Sequence, residues 1–270
     1  MIPSTKKWTD FQKNLVTITN DVFQLLVYNC RVNTLDFTNI KAVAFDIDGT
    51  IYRTWKFNIR MPVYFFSHSI FFLKYGLVRN IMHKSEATDD FVKVQAQHMA
   101  KKLHCSTEEA EKRLDKVIYK GLEKKFVHIK PCKGVINLIK RLKKNGYKIA
   151  VLSDFPPEQK GDIWGIRDLC DVVLGSEEAG ALKPASTPFL KLADKLALPP
   201  EEILYVGNNF KYDIVGAKNV GMKAAWLVLP SLFKGGKKAK FADFTFSHYC
   251  QLEEAIFKDR EHKTDTSSES

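Results

Sequence analysis

The sequence predicts an α/β fold: a three-layer, Rossmann-like parallel sheet core with an inserted all-helical cap domain. Short apolar runs alternate with amphipathic helical segments, which is typical of a parallel sheet covered by helices on both faces. About 100 residues of helical character, without a convincing strand, separate the first apolar run from the second. A helical insertion after the first strand is the simplest explanation of that interval.

Five apolar runs predict buried strands, and a sixth, weaker run predicts an edge strand. Each run is short and is bounded by Gly, Pro or polar residues, which favours a buried strand over a helix. The predicted strands are 42–45, 147–153, 171–176, 202–207, 223–230 and, at the edge, 243–247.

Helical periodicity fills most of the remaining chain. Apolar residues from Trp8 to Leu25 recur at steps of three and four, which predicts an N-terminal helix. The sequence 106–109 (STEE) is a capping box that starts another helix. The apolar stretch 63–78 is short for a bilayer span of roughly 20 residues, so it predicts a packing helix, with a membrane-touching surface as the alternative.

These patterns divide the chain into predicted parts. Residues 1–40 form a helical extension, 41–55 and 131–258 form the α/β core, 56–130 form the helical cap, and 259–270 form a disordered polar tail. We expect no segment that spans a membrane and no signal peptide at the N-terminus, which lacks an apolar run.

Composition and charge narrow the classes of function. The chain is 45% hydrophobic and 27% charged, which excludes collagen-like and low-complexity proteins. Its net charge of +11 favours anionic partners. Residues 53–131 hold 16 Lys and Arg against 8 Asp and Glu, so the predicted cap is basic, with a solvated helix face as the plain alternative.

The cysteines and the Lys-rich segment argue against two other classes of protein: those held together by disulfides or zinc, and those that bind nucleic acid. Five scattered cysteines without a C-x-x-C pair argue against a disulfide framework or a zinc site, and favour the reducing cytoplasm. The Lys-rich segment 234–240 is typical of a flexible solvated loop, so no nucleic-acid partner is expected. The oligomeric state stays undetermined.

Polar residues cluster where the predicted strands end. In an open parallel sheet, ligands bind beyond the carboxyl ends of the strands. Acidic, hydroxyl and amide side chains follow the first, second and fourth predicted strands. A lysine precedes the helix that leads to the fourth strand. These residues are Asp46, Asp48, Thr50, Ser153, Asp154, Lys183, Asn208 and Asp213.

Four sequence motifs occur in the order of a known superfamily. They are D-x-D-G-T at 46–50, VLSDF at 151–155, ALKP at 181–184 and GNNFKYD at 207–213. Over roughly residues 41–257 the chain resembles the haloacid dehalogenase superfamily of aspartate-nucleophile phosphotransferases. The resemblance implies that the helical insert between the first two motifs is a cap that closes over the site and excludes water.

The resemblance also implies a role for each residue. Asp46 is the expected nucleophile, which forms an aspartyl-phosphate, and Asp48 is the expected general acid and base. Ser153, Asp154 and Lys183 are the expected phosphate-binding residues, and Lys183 is also expected to act in catalysis by offsetting negative charge.

A divalent cation is expected because two carboxylates and a phosphate dianion repel one another. Mg²⁺ suits oxygen ligands, and the resemblance implies Asp46, Asp48, Asn208 and Asp213 as the metal site. The fourth motif of the family usually begins Gly-Asp, so Asn208 is a departure that removes one negative charge. We therefore expect weaker Mg²⁺ binding rather than none.

The predicted function is an Mg²⁺-dependent phosphatase that hydrolyses a small phosphorylated metabolite through an aspartyl-phosphate intermediate. A phosphomutase of the same superfamily is one alternative. A catalytically weakened binding or regulatory protein, marked by Asn208, is the other. Asp48 argues against carbon–halogen cleavage, since the true dehalogenases of the superfamily place a different residue there.

Overall fold

A parallel sheet of six strands forms the centre of the protein. A computed structural model describes residues 36–126, 128–229 and 237–266, with side chains as far as Lys258. The order across the sheet is β3-β2-β1-β4-β5-β6, and every neighbouring pair is parallel. The strands are β1 Ala42–Phe45, β2 Lys148–Ser153, β3 Val172–Gly175, β4 Ile203–Gly207, β5 Lys223–Leu227 and β6 Phe244–Phe246.

All six predicted strands are confirmed, each within a few residues of its expected bounds. The weakest of them, β6, lies at the edge of the sheet, as predicted. The first strand lies between β2 and β4, and all four of its residues are buried, which explains its unbroken apolar sequence. The central position of β1 places the residues that follow it in the middle of the carboxyl edge of the sheet.

Helices cover both faces of the sheet, which confirms the three-layer prediction. Val43 and Phe45 pack into one apolar cluster, whereas Ala42 and Ala44 pack into another. This alternation follows from the two-residue period of a strand. The helices are α1 Thr54–Asn58, α2 Pro62–Ser67, α3 Ser69–Met82, α4 Phe91–Leu103, α5 Thr107–Leu114, α6 Lys120–Phe126, α7 Val135–Lys144, α8 Ser186–Leu196, α9 Gly216–Asn219, α10 Lys237–Phe241 and α11 Tyr249–Thr266.

Helices α1 to α6 lie between β1 and β2, and the described residues of this interval contain no named strand. The capping residue Ser106 accepts a hydrogen bond from the backbone N–H of Glu109, as the capping box predicts. Met99 and Ile118 of this helical insert share one buried cluster with Phe45 of the sheet. The insert is therefore packed directly on the core.

The apolar stretch 63–78 packs on one face only. Phe71 and Val78 of α3 are buried, whereas Leu73 and Leu77 on the opposite face are exposed. The packing-helix prediction is thus right for the inner face and wrong for the outer one. Among the described residues, no helix has both the length and the apolar character needed to cross a membrane.

The structure tests the prediction for the C-terminal tail but not the one for the N-terminal helix. The helix predicted between Trp8 and Leu25 lies outside the described residues, as does Lys234. Helix α11 runs on to Thr266, through eight of the twelve residues predicted as a disordered tail. No Gly or Pro follows residue 249 to end the helix. The polar composition of the tail had indicated disorder instead.

Candidate active site

The turn after β1 places Asp46 and Asp48 at the carboxyl edge of the sheet. The Asp46 backbone N–H donates to the Val206 carbonyl of β4 at 2.9 Å, which continues the sheet into the turn. Gly49 has a φ of +100°, and a Cβ there would lie 2.4 Å from the side-chain nitrogen of Asn208. Glycine is required at this position for both reasons, and the turn is pressed against the loop after β4.

Lys183 joins two buried carboxylates. Its Nζ lies 2.7 Å from Oδ1 of Asp46 and 2.7 Å from Oδ1 of Asp213, and all three side chains are almost completely buried. Burial raises the pKa of Asp46, although the Lys183 ammonium opposes that change. Burial alone lowers the pKa of Lys183, but Asp213 and Asp46 outweigh it and hold the pKa well above its usual value. Lys183 is therefore a fixed cation beside Asp46.

Thr50 links Asp46 to Asn208. Its hydroxyl lies 2.9 Å from Oδ2 of Asp46 and 3.2 Å from Oδ1 of Asn208, so both oxygens are held beside one donor. Gly207 precedes Asn208, and a Cβ there would lie 2.3 Å from the Cβ of Asp213. The second carboxylate oxygen of Asp213 accepts the backbone N–H of Asn209 at 2.8 Å, which fixes its orientation.

Asp48 is held by three side chains. Its Oδ1 accepts the hydroxyl of Tyr52 at 2.5 Å, and its Oδ2 accepts the hydroxyl of Ser153 at 3.1 Å. The Nζ of Lys160 lies 3.2 Å from the same Oδ2. Burial acts to raise the pKa of Asp48, but the Lys160 charge and these hydrogen bonds bring it below its usual value. This environment therefore favours the ionised form of Asp48.

Lys160 and Tyr52 are site residues that the sequence analysis missed. Lys160 ends a short 3₁₀ turn, Pro157–Lys160, that follows β2, and its side chain is fully buried. Its ammonium lies 4.8 Å from the ring centre of Phe126. Lys160 lies seven residues beyond Ser153, and no strand or helix period marks that position as part of the site. Tyr52 was easier to find, because it lies four residues after Asp48 in the turn.

Ser153 and Asp154 lie at the end of β2, as expected. The fully buried hydroxyl of Ser153 contacts Asp48 and also accepts the backbone N–H of Phe155 at 3.3 Å. The carboxylate of Asp154 accepts the backbone N–H of Lys183 at 3.1 Å and so orients the loop that carries this lysine. Phosphate contacts for Ser153 and Asp154 stay predictions.

The helical insert is docked against this loop at two places. Arg79 of α3 forms a buried ion pair with Glu177 and also donates to the Asp154 carbonyl at 3.0 Å. His83 directs Nδ1 at the carbonyl of Lys183, 2.7 Å away, so this nitrogen carries the proton. The His83 ring also stacks on Tyr212, with the ring centres 4.4 Å apart. The insert thus contacts the loop before α8 and the loop after β4.

Comparison with known proteins assigns the family. A profile of the haloacid dehalogenase-like hydrolases matches residues 43–227, more than half of the chain. The chain belongs to this family. The resemblance drawn from the four motifs is therefore confirmed, and the matched residues include Asp46, Ser153, Lys183 and Asp213.

Relatives of this chain include named phosphatases. Glyceraldehyde 3-phosphate phosphatase of Pyrococcus furiosus is 32% identical over 151 residues, which cover 52% of this chain and 60% of that protein. Pyrophosphatase PpaX of Halalkalibacterium halodurans is 27% identical over 190 residues, which cover 69% of this chain and 82% of that protein. The chain therefore covers less than two thirds of the length of the first relative and more than two thirds of the length of the second.

Solved structures share the fold of this chain. The 2-haloacid dehalogenase of Pseudomonas syringae has a TM-score of 0.59 at 18% identity, covering 81% of this chain and 99% of that one. The β-phosphoglucomutase of Clostridium difficile has a TM-score of 0.56 at 18% identity, covering 83% and 99%. At this identity the likeness establishes the α/β architecture with an inserted helical segment and no particular reaction.

The side-chain oxygens of Asp46, Asn208 and Asp213 fit a magnesium ion, with one negative charge fewer than three carboxylates would supply. No group of three or more His, Cys, Asp or Glu side chains arranged for a metal occurs in the described part of the chain. The carboxylate of Asp46 and the amide oxygen of Asn208 nevertheless lie at one hydroxyl, with Asp213 nearby. Mg²⁺ commonly uses one or two protein carboxylates and leaves its other positions to water and phosphate, so the set fits.

Proposed function

We propose that this hydrolase is an Mg²⁺-dependent phosphatase that removes phosphate from a small phosphorylated metabolite. The observation that carries the proposal is the buried Asp46 carboxylate, fixed between Lys183 and Thr50 at the end of the central strand. A carboxylate held rigidly beside a cation is suited to attack phosphorus, because the cation offsets the charge of the incoming phosphate. The relatives named as phosphatases support the same activity.

The first half of the reaction transfers the phosphoryl group to the protein. An Asp46 oxygen forms a bond to phosphorus while the bond from phosphorus to the substrate oxygen breaks. That oxygen takes a proton from Asp48, and the alcohol leaves. Lys160 favours the ionised form of Asp48, but an arriving phosphate dianion raises the pKa of a neighbouring carboxyl and allows it to carry the required proton.

The second half returns Asp46 to its free form. Asp48, now ionised, accepts a proton from a water molecule as the water oxygen bonds to phosphorus. The bond between phosphorus and the Asp46 oxygen breaks, and inorganic phosphate leaves. Lys160 stabilises the ionised state of Asp48 that this step requires, since its ammonium lies 3.2 Å away.

The remaining site residues bind and orient. We propose that the Ser153 hydroxyl, which contacts Asp48, hydrogen-bonds the transferring group. Asp154 orients the loop of Lys183 through the lysine backbone N–H. Asp46, the Asp48 backbone carbonyl and Asn208 would hold Mg²⁺, with Asp213 adding charge. When bound, the ion neutralises the phosphate oxygens and makes phosphorus more electrophilic.

We propose that residues 56–130 act as a cap over this site. The insert contacts the loop of Lys183 through His83 and through the ion pair of Arg79 with Glu177, so its closure orders that loop and excludes water from an aspartyl-phosphate. The basic charge of the insert favours anionic substrates.

A cytoplasmic location fits the proposed enzyme. We propose it because the five cysteines are scattered and form no C-x-x-C pair, which suits a reducing compartment.

Phosphate release from a panel of phosphorylated metabolites tests the proposal. The panel includes glyceraldehyde 3-phosphate, phosphoglycolate, sugar phosphates and pyrophosphate, each with Mg²⁺ and with a chelator. We expect release from at least one compound, dependent on Mg²⁺ and lost in Asp46→Asn. Isomerised sugar phosphate without release would favour the mutase. No turnover of any compound by folded protein would favour the binding protein.

A further inference from the structure

A large apolar surface covers the outer side of helices α1 to α3. Of the 13 large apolar side chains that are exposed in the described part of the chain, nine lie in this one segment. Val63 is 85% exposed, Phe66 77% and Ile70 67%, which are values of free surface residues rather than of a partly covered core. We call the nine side chains the cap stripe: Trp55, Ile59, Val63, Phe65, Phe66, Ile70, Leu73, Leu77 and Ile81.

The cap stripe is not required for packing against the core. Helix α3 buries Phe71, Tyr75 and Val78 on its inner face, and these residues repeat at helical steps of four and three. Leu73 and Leu77 lie on the other face and repeat at their own step of four. Helices α1 and α2 bury no residue completely. Large exposed apolar patches of this kind mark sites of interaction.

The charge of the segment that carries the cap stripe is positive. Residues 49–85 contain no Asp or Glu and six Lys and Arg. Arg79 is buried in its pair with Glu177, which leaves five cations outside the core. Helix α6 adds Lys125, whose ammonium lies 5.0 Å from the ring centre of Tyr64 on α2, and also carries Glu123. An apolar face on a segment with cations and no carboxylate is complementary to a surface that is apolar inside and anionic outside, which describes a bilayer with anionic headgroups.

We propose that the cap stripe docks this protein on the surface of an anionic lipid bilayer. The apolar side chains enter the boundary between headgroups and acyl chains, and the lysines and arginines lie among the headgroups. The helices lie along the surface rather than across it, since no described helix is long and apolar enough to span the membrane.

The same charges argue against two other occupants. A second copy of the chain would bring the same cations, because a symmetric interface places one patch on itself. Residues 1–35 hold four Lys and Arg and two Asp, so the net charge of this segment is also positive and does not complement the cations beside the cap stripe. An anionic bilayer satisfies the apolar and the charged parts of the surface together.

Vesicle flotation of the full chain tests the proposal. The probes are vesicles of phosphatidylcholine alone and vesicles that also contain about 30 mol% phosphatidylglycerol. The test variant is Val63→Glu/Phe66→Glu/Leu77→Glu, which changes three exposed positions. Leu190→Glu is the matched control, because Leu190 is 48% exposed and lies on α8, outside the cap stripe.

Support requires binding to the anionic vesicles, weaker binding at high salt, about tenfold or more weaker binding of the triple variant, and unchanged binding of the control. Four results would overturn the proposal: no flotation with either vesicle, equal binding to the neutral vesicles, undiminished binding of the triple variant, or a dimer in sedimentation that the triple variant dissociates. The last result would assign the cap stripe to a second copy of the chain.

Discussion

The ammonium group of Lys160 lies 3.2 Å from a carboxylate oxygen of Asp48, and no atom of the Lys160 side chain reaches solvent. A fully buried lysine is rare unless it is paired. Here the pairing partner is the carboxylate that the proposed reaction uses as acid and base. The pair therefore links the 3₁₀ turn after β2 to the site, alongside the link that Lys183 makes to Asp46.

Replacement of Lys160 by Met is expected to lower the free energy of unfolding at pH 7 by about 1–3 kcal/mol, because it leaves the Asp48 carboxylate without its cation. The pKa of Asp48 lies below its usual 3.8 in the folded protein, so the pair stabilises the fold above that pH. Its contribution is lost as the pH falls through the folded pKa. Denaturant unfolding of both proteins at pH 7 and at about pH 3 measures the change.

The control for this substitution is Lys195→Met, since Lys195 and its partner Glu178 are both largely exposed. It should change stability by less than about 1 kcal/mol at either pH. A difference between wild type and Lys160→Met that is the same at both pH values would contradict the role assigned to the Lys160–Asp48 pair.

Asp46→Asn should abolish turnover, by about 10³-fold or more, and at the same time stabilise the metal-free protein. Burial raises the pKa of Asp46 above its unfolded value, so the ionised carboxylate costs stability as the pH rises toward the folded pKa. The gain should therefore be absent below about pH 4 and reach about 1 kcal/mol or more at pH 8. Thermal unfolding with a chelator across this range gives the profile.

Added Mg²⁺ should reduce that gain, because the cation stabilises the ionised carboxylate of the wild type and binds the variant less well. A variant that is less stable than wild type at pH 8 in the chelator would show that Lys183 stabilises the ionised Asp46 more than burial penalises it.

Asn208→Asp should tighten Mg²⁺ binding about tenfold, since it restores a negative charge at an oxygen that already lies beside Thr50. Without the cation the same change should lower stability by about 1 kcal/mol, because the new carboxylate faces Asp46 across the Thr50 hydroxyl. Thermal unfolding as a function of Mg²⁺ concentration measures both effects.

Asn209→Asp is the matched control for that substitution. The Asn209 side chain caps the following turn by accepting the Tyr212 N–H at 3.0 Å, and Asp performs this capping equally well. Because Asn209 is exposed, its added charge should change Mg²⁺ affinity much less than the charge at 208. Equal effects at the two positions would mean that Asn208 is not a ligand.

Residues at strand ends were predictable from the sequence because strand geometry fixes them. A parallel sheet brings the carboxyl ends of its strands to one edge, so the turn of Asp46 and the loop of Asp213 had to meet once their strands were recognised. Lys183 lies in the loop between β3 and α8, and its contacts with both carboxylates are seen only in the structure. The fold and the meeting of Asp46 with Asp213 therefore required no coordinates, whereas the role of Asp46 as nucleophile stays a prediction.

Residues on irregular turns were not predictable in this way. Lys160 lies on a 3₁₀ turn between β2 and β3, where neither a two-residue nor a 3.6-residue period applies. The exposed face of α3 was missed for a different reason: both faces of that helix are apolar, so the sequence pattern does not say which one meets the core. Only the packing of the helices decides these points.

The buried ion pair between Arg79 and Glu177 should be the main polar link between the helical insert and the core. Both side chains are less than 10% exposed, and Tyr119 and Gln95 of the insert complete the network. Arg79→Met should therefore lower the free energy of unfolding by about 3–5 kcal/mol, since it leaves Glu177 buried and unpaired.

An exposed pair within the insert provides the comparison. Arg113 and Glu109 are about half exposed, so Arg113→Met should cost only about 0.5 kcal/mol. Glu177→Gln keeps the shape of the partner and should lose less stability than Arg79→Met, because Gln still accepts from Arg79. If the pair also holds the insert against the Lys183 loop, Glu177→Gln should raise KM more than it lowers kcat. Equal losses from Arg79→Met and Arg113→Met would show that apolar packing alone joins the insert to the core.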